Sequence, residues 1–221
     1  MKRRSVVVAI DGPSAAGKGT LAQRLAERLG YAYLDTGLLY RAVGLKAALM
    51  AGVGYEDRVI AMAPAAAAAL RLDDLRAPEL RGDQAAAVAS RVAAIPAVRD
   101  ALLGFQRRFA SSPPEGVTGA VLDGRDIGTV VCPGADVKLF VTASESVRAD
   151  RRLKELRERG LEAIHSRVLR DMQERDRRDS ERAVAPLVPA GDATVIDTSD
   201  LLPEAVLAEA LAIVDRVMAR R

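Results

Sequence analysis

The sequence predicts an α/β fold built on a five-stranded parallel sheet with helices on both faces. Three observations carry that prediction. Five short hydrophobic runs of strand length are spread along the chain, at 5–10, 31–35, 119–123, 136–144 and 193–199. Stretches with helical spacing of apolar residues lie between them. A glycine-rich turn follows directly on the first run, which is how a buried strand hands over to a helix at a phosphate-binding edge.

Taken in order, "SVVVAI" (5–10) is the first strand and runs into "DGPSAAGKGT" (11–20). Leu21, Leu25 and Leu29 then recur every four residues, an amphipathic helix that Gly30 closes. "YAYLD" (31–35) reads as the second strand, with a helix starting near Thr36 or Gly37. The alanine-rich stretch 61–75 is expected to be a helix started by Pro64, because proline suits a first helical turn. Residues 76–83 are polar and turn-like, and 84–110 return to helical periodicity with a break before Pro96. After the loop "SSPPEG" come the last three strands. Ligands of such sheets bind beyond the carboxyl ends of the strands. That rule gathers 11–20, Asp35 to Gly37 and Asp123 to Asp126 at one edge.

Composition narrows the function classes. Apolar residues make up 49% of the 221, enough for a full core. Acidic residues number 30 against 33 basic ones, a mixed surface that fits a small anionic substrate as well as nucleic acid. Three phenylalanines, four tyrosines and no tryptophan make a poor stacking platform for single strands, so no nucleic-acid partner is expected. The single Cys132 cannot form an internal disulfide and is expected to be a small core residue. With no secretory h-region behind "MKRRS" and no membrane-length apolar run, the expectation is a cytoplasmic protein without membrane contact.

Gly12, four residues, Gly17 and Lys18 match the phosphate-loop spacing G-x-x-x-x-G-K. Glycines let successive backbone N–H groups turn toward phosphate oxygens, the following helix adds its positive N-terminal end, and the lysine neutralises phosphate charge. Gly12, Pro13, Ser14, Ala15, Ala16, Gly17, Lys18, Gly19 and Thr20 are therefore the candidate phosphate-binding residues. Position 19 is Gly where the usual magnesium-binding hydroxyl stands, and Thr20 supplies a hydroxyl one residue later, so Thr20 is a possible but unassigned contact to Mg²⁺.

A second concentration of chemistry is "ERDRRDSERAVAPL" (174–187), with four arginines and four acidic residues in its first nine positions. The pairs Asp171–Arg175, Glu174–Arg178 and Arg175–Asp179 sit at i, i+4, so ion pairs along a solvated helix are one reading. The other is that Arg175, Asp179 and Arg182, at i, i+4 and i+7, form one inward face. The rest of the chain favours the second.

The form "GPSAAGKGT" resembles the nucleoside monophosphate kinases. "LDTGLLYR" (34–41), "DGRDIGTVVCP" (123–133) and "ERDRRDSERAVAPLVPA" (174–190) narrow the resemblance to the bacterial cytidylate kinases over nearly the whole chain. The resemblance implies ATP-dependent phosphorylation of CMP and dCMP, with an ATP-binding site at Gly12 to Thr20 and Mg²⁺ accompanying ATP, by a monomer. It also implies one domain divided into a core (1–36, 111–156, 190–221), a CMP-binding subdomain (37–110) and a mobile helical lid (157–189). Residue by residue, Tyr40, Arg41, Arg125 and Arg182 match positions around the CMP phosphate, beside Asp123. Ser90, Arg99 and Asp126 match positions that read cytosine, Arg175 and Asp179 those facing the sugar, and Thr36 stands where the family often has serine. Lys18, Arg125, Arg175 and Arg182 are the expected catalytic residues.

The base-reading set also makes chemical sense. Cytosine pairs an exocyclic amine with two acceptors, which a carboxylate, an arginine and a hydroxyl complement. Between Leu70 and Ser90 the chain is about a dozen residues shorter than the resemblance leads one to expect. It has "RLDDLRAPELRGDQ" in place of an alternating β-ribbon, so a more helical subdomain is expected there. Because the phosphate monoester acceptor has a second pKa of about 6, it needs no base to deprotonate it. His165, the only histidine, is expected to have no chemical role.

Overall fold

In the computed structural model, described for residues 5–52, 56–114 and 116–220, five parallel strands form one sheet. They are β1 (Val6–Asp11), β2 (Ala32–Asp35), β3 (Gly119–Gly124), β4 (Val137–Thr142) and β5 (Thr194–Asp197). Their spatial order is β2-β3-β1-β4-β5, with Ile10 level with Asp123 and Asp35 also level with Asp123. The central strand therefore delivers its turn, and β2 and β3 their terminal carboxylates, to one edge. β1 and β3 are buried along their whole length, which is why they read as unbroken apolar runs rather than as alternation.

Among the described residues the α-helices are α1 (Lys18–Leu29), α2 (Thr36–Ala51), α3 (Glu56–Ala68), α4 (Asp83–Val92), α5 (Pro96–Ser111), α6 (Glu145–Glu158), α7 (His165–Glu181) and α8 (Pro203–Met218). Strand side chains divide between two cores. Val8, Ile10, Leu139 and Val141 pack with Leu21 and Leu25 of α1 and Val206, Ala210 and Ile213 of α8 on one face. Val7, Ala9, Leu34 and Leu122 pack with Leu103, Phe109 and Ala110 of α5 and with Ile127 and Val131 on the other. Gly30 adopts the left-handed conformation that ends α1 (φ 64°), and its N–H returns to the last turn of that helix.

Helices α2 to α5 build a third core of their own, with Leu39, Val43 and Ala47 against Ala63, Ala66, Ala67, Val92, Val98 and Leu102. Residues 70–83 carry two short 3₁₀ turns, Leu72–Arg76 and Pro78–Arg81, and no strand, as the helical reading of this stretch expected. Two expectations are corrected here. Pro64 does not start a helix but lies inside α3. Burial of Ala63, Ala66 and Ala67 on the apolar face outweighs the hydrogen bond that proline cannot make. Cys132 is only half-buried at the margin of the β3 core, and that partial burial pushes its thiol up to about 11.

Candidate functional site

The turn after β1 owes its shape to three unusual backbone positions. Gly12 has φ 149°, and a Cβ there would lie 2.0 Å from the carbonyl oxygen of Val141, so only glycine lets β1 and β4 close over the turn. Gly17 (φ 86°) and Ala15 (φ 58°) are left-handed, which curls the chain before α1 begins at Lys18. The N–H groups of the first turn of α1 consequently face the sheet edge with no side-chain cap.

Beyond that edge lies a cavity of about 230 Å³ lined by residues from both ends of the chain. Ser14, Ala15, Lys18 and Gly19 contribute from the turn; Gly12, Pro13, Ala16, Gly17 and Thr20 do not line it. All eleven residues expected around CMP do line it: Thr36, Tyr40, Arg41, Ser90, Arg99, Asp123, Arg125, Asp126, Arg175, Asp179 and Arg182. Asp35, Arg152 and Glu155 line it too. Asp35 was legible as part of the sheet edge, whereas nothing local in "RADRRLKE" marks Glu155.

The floor is a set of charges that desolvation makes costly. Lys18 Nζ sits 3.4 Å from the Pro13 carbonyl, and burial together with the nearby Arg125 pulls the amine down to about 7, against the attraction of Asp123 and Asp35. Burial and the Asp35 carboxylate push Asp123 up to about 6, although it accepts a hydrogen bond from Tyr33 Oη (3.1 Å). Thr36 Oγ1 donates to the Asp123 carbonyl (2.7 Å), which joins the start of α2 to the end of β3. Asp11 was not singled out from the sequence. Its buried carboxylate accepts from the N–H groups of Ile127 and Gly128, both at 2.7 Å, and fixes the turn that follows "DGRD". Burial pushes Asp11 up to about 6.

The walls are arginine–aspartate pairs between elements distant in sequence. Asp126 accepts from Arg99 of α5 at one oxygen and from Arg182 Nη2 (3.4 Å) at the other. The Arg99 guanidinium lies 5.7 Å from the centre of the Tyr40 ring. Asp179 accepts from Ser90 Oγ (3.0 Å) and Arg125 Nε (3.0 Å), so α7 is joined to α4 and to the end of β3. Arg175 is half-buried, and its Nε is buried and unpartnered. Burial first, then Arg125, Arg41 and Arg152, lower its pKa to about 10.

Two readings of the arginine run are resolved by this arrangement. Glu174 and Arg178 do lie on the outer side, 3.9 Å apart. Asp179 bonds across the cavity to Arg125 and Ser90, and Arg175 turns inward. The helix ends at Glu181, so Arg182 belongs to the turn after it rather than to the helical face. There Leu187 N–H caps the Asp179 carbonyl (2.8 Å), Ala185 is left-handed (φ 53°), and Arg182 Nε donates to the Ala185 carbonyl.

A second, mostly apolar cavity of about 420 Å³ opens on the other side of the turn. It is lined by Gly17, Thr20, Arg24, Arg151, Thr198, Leu201 and Leu202, among others. Thr20 faces this cavity, away from the Asp35–Asp123 pair. His165 lies 3.2 Å from Asp150 at the surface and lines neither cavity.

Comparison with known proteins gives a consistent answer. Residues 8–216 match the model of the family described as cytidylate kinase. The chain is 64% identical over 210 residues to a cytidylate kinase of Paramagnetospirillum magneticum, covering 95% of this chain and 98% of that one. It is 58% identical over 206 residues to one of Rhodospirillum rubrum, covering 93% and 95%. Among solved structures it resembles an uncharacterized protein from Eubacterium ventriosum at a TM-score of 0.54 and 12% identity, over 96% of this chain and 99% of that one, a likeness of fold.

Proposed function

The chain belongs to the cytidylate kinase family, and from that premise we propose how its residues transfer the γ-phosphoryl group of ATP to CMP and dCMP. What supports the assignment of roles is one observation. Eleven residues from α2, α4, α5, β3, the turn after it, α7 and the turn that ends it converge on a single cavity whose floor carries Lys18 and the phosphate-loop turn.

ATP lays its phosphates on the backbone N–H groups at the start of α1, with Lys18 at the β and γ phosphates. Its base enters the apolar cavity beside Thr20, Leu201 and Leu202, where Arg151, hydrogen-bonded to Thr198, offers a guanidinium face. The two carboxylates Asp35 and Asp123, at the ends of neighbouring strands, fit a hard divalent cation. Burial and their mutual repulsion raise Asp123, and a cation relieves both. They would hold the Mg²⁺ that accompanies ATP, which supplies neutralisation of phosphate charge. Thr20, facing the apolar cavity, fits this role less well.

On the acceptor side, Arg41, Arg125 and Arg182 hold the CMP phosphate, with Tyr40 beside it. Asp126 takes the exocyclic amine of cytosine, Arg99 and Ser90 serve the ring acceptors, and Asp179 with Arg175 faces the sugar. The acceptor phosphate is already largely dianionic near neutral pH, with a second pKa of about 6. The protein's work is therefore alignment and charge stabilisation rather than proton removal. Residues 37–110 form the acceptor subdomain, and 157–189 the lid, which brings Arg175 and Arg182 over the transferring group. We assign the enzyme to the cytoplasm as a monomer; the described residues contain no helix long and apolar enough to cross a membrane.

The test is ADP formation with Mg²⁺ and ATP against CMP, dCMP, UMP, AMP, GMP, shikimate and dephospho-coenzyme A. Rates with CMP and dCMP alone are expected. Comparable rates with UMP would remove the base-reading roles of Asp126, Arg99 and Ser90, and no rate with any acceptor would remove the enzyme reading of the site.

A further inference from the structure

One buried arginine outside the substrate cavity ties together three parts of the molecule. Arg148, in the first turn of α6, is buried despite its charge. Its Nε donates to the carbonyl of Ala143, just beyond β4 (3.0 Å). Its Nη1 donates to the carbonyl of Ser14 in the phosphate-loop turn (3.3 Å) and to the carboxylate of Asp176 on α7. Neither Arg148 nor Asp176 lines the cavity that holds the acceptor residues.

Asp176 directly follows Arg175 and precedes Asp179 by three residues, so α7 carries two carboxylates within one turn. They reach in different directions. Asp179 joins α7 to the acceptor side through Ser90 and Arg125, and Asp176 joins it to the donor side through Arg148 and the Ser14 carbonyl.

Between these anchors, Arg175 projects into a cavity already occupied by Arg125, Arg41 and Arg152, whose charges oppose its own. Asp179 offsets part of that repulsion, and Val168 and Met172 of α7 pack with Ala149 and Leu156 of α6; the Arg148–Asp176 pair is the charged contact on that same side, one residue from Arg175. The remaining oxygen of Asp176 is buried and, among the described residues, unpartnered, so Arg148 is the partner that holds this carboxylate.

We propose that Arg148 and Asp176 form a donor-side latch, a positioning pair that sets the closed position of α7 and thereby holds Arg175 over the phosphate loop. The proposal rests on the reading of Arg175 as a contact to the transferring phosphoryl group. Acceptor recognition, which runs through Asp179, Ser90 and Arg125, stays outside the latch. Its loss should therefore appear mainly in turnover, with only a small rise in the KM for CMP through the sugar contact of Arg175.

The experiment is steady-state kinetics and melting of the full-length enzyme carrying Asp176→Asn, Arg148→Met and both changes, beside the parent and Arg175→Ala. Asp176→Asn keeps the side-chain shape and removes the charge. The expected result is a kcat about 10- to 100-fold lower, as suits a misplaced catalytic group, with the KM for CMP raised no more than about threefold, since Arg175 is one of several contacts to CMP. The double variant should be no slower than the worse single one, because the two residues act as a unit.

A kcat of Asp176→Asn within about twofold of the parent overturns the latch, as do losses that multiply in the double variant or a loss confined to the KM for CMP. Should Arg148→Met fail to fold, Arg148→Lys takes its place. It keeps the charge but not the planar set of donors, and the same kcat loss is expected. An inactive parent would count against the proposed function itself. An active parent that loses turnover in Arg175→Ala and not in Asp176→Asn would count against the latch alone.

Discussion

The two halves of the site are built in opposite ways. On the side we propose for the donor, one contiguous stretch, 11–20, shapes the backbone, and its chemistry is N–H groups, a helix terminus and one lysine. On the side we propose for the acceptor, the lining is mostly side chains, drawn from elements as far apart as Thr36 and Arg182, and the pieces are held by arginine–aspartate pairs such as Arg99–Asp126 and Arg125–Asp179. A backbone site is rigid and indifferent to which base arrives. A side-chain site can tell one base from another, and its partners can be exchanged when substrate enters. What the difference teaches is that phosphate binding and acceptor choice can fail separately.

The largest effect tests the donor side. Lys18→Ala is expected to lower kcat by about a thousandfold or more, since the lysine acts on charge that develops in transfer, while the melting temperature stays near that of the parent. Near-normal turnover would leave the backbone as the whole of the donor site. Arg182→Ala, removing one guanidinium of the acceptor side, should cost about 100- to 1,000-fold in kcat. A pure rise in KM would make it a binding residue only.

Selectivity comes next and sharpens the contrast. Asp126→Asn swaps a pure acceptor for an amide beside Arg99 and Arg182. It should narrow the CMP-over-UMP preference in kcat/KM by about 10- to 100-fold, the worth of one unpaired polar group, while the KM for ATP stays unchanged. An unchanged ratio would take base reading away from Asp126.

The pH dependence separates the halves further. Lys18 is pulled down to about 7, so in the free enzyme its charge is present below that pH and lost above it. kcat/KM for ATP, which reports the free enzyme, should decline as pH rises through about 7. kcat should persist to higher pH, because bound phosphates favour the charged lysine. Parallel profiles would mean that Lys18 is not the titrating group. The depressed lysine also destabilises the folded state near neutrality, because burial disfavours its charge. Its contribution to stability should improve as pH rises from about 7 toward the ordinary lysine range. The smallest effect belongs to His165→Ala, for which kcat should stay within about twofold of the parent. A loss of ten times or more would bring a histidine into a reaction that needs no base.

How much of this was legible follows from how far each feature depends on distant chain. The strand runs, the turn at 11–20 and the glycine that ends α1 were readable because backbone conformation and burial there are fixed by neighbours in sequence. The amphipathic sense of Arg175 and Asp179 was readable from helical spacing. Pro64 was misread because the cost of a proline inside α3 is a local term, while the burial of Ala63, Ala66 and Ala67 that offsets it exists only once α3 packs in the core shared by α2 to α5. Arg182 was placed one step too far along the helix. The chain stops it with Leu187 and Ala185, which come back only after the turn is made.

By itself, then, the sequence determined the alternation of strands and helices, the phosphate turn, and which side chains carry charge enough to grip two phosphates. Those properties are set by local conformational preference and by residue chemistry. Only the tertiary structure decided that Thr20 looks away from the carboxylate pair and that Arg152 and Glu155 enter the cavity. It alone also joined Arg148 to both Ser14 and Asp176. The physical reason is that a buried charge must find its partner in space, and the partner that satisfies it can lie anywhere along the chain.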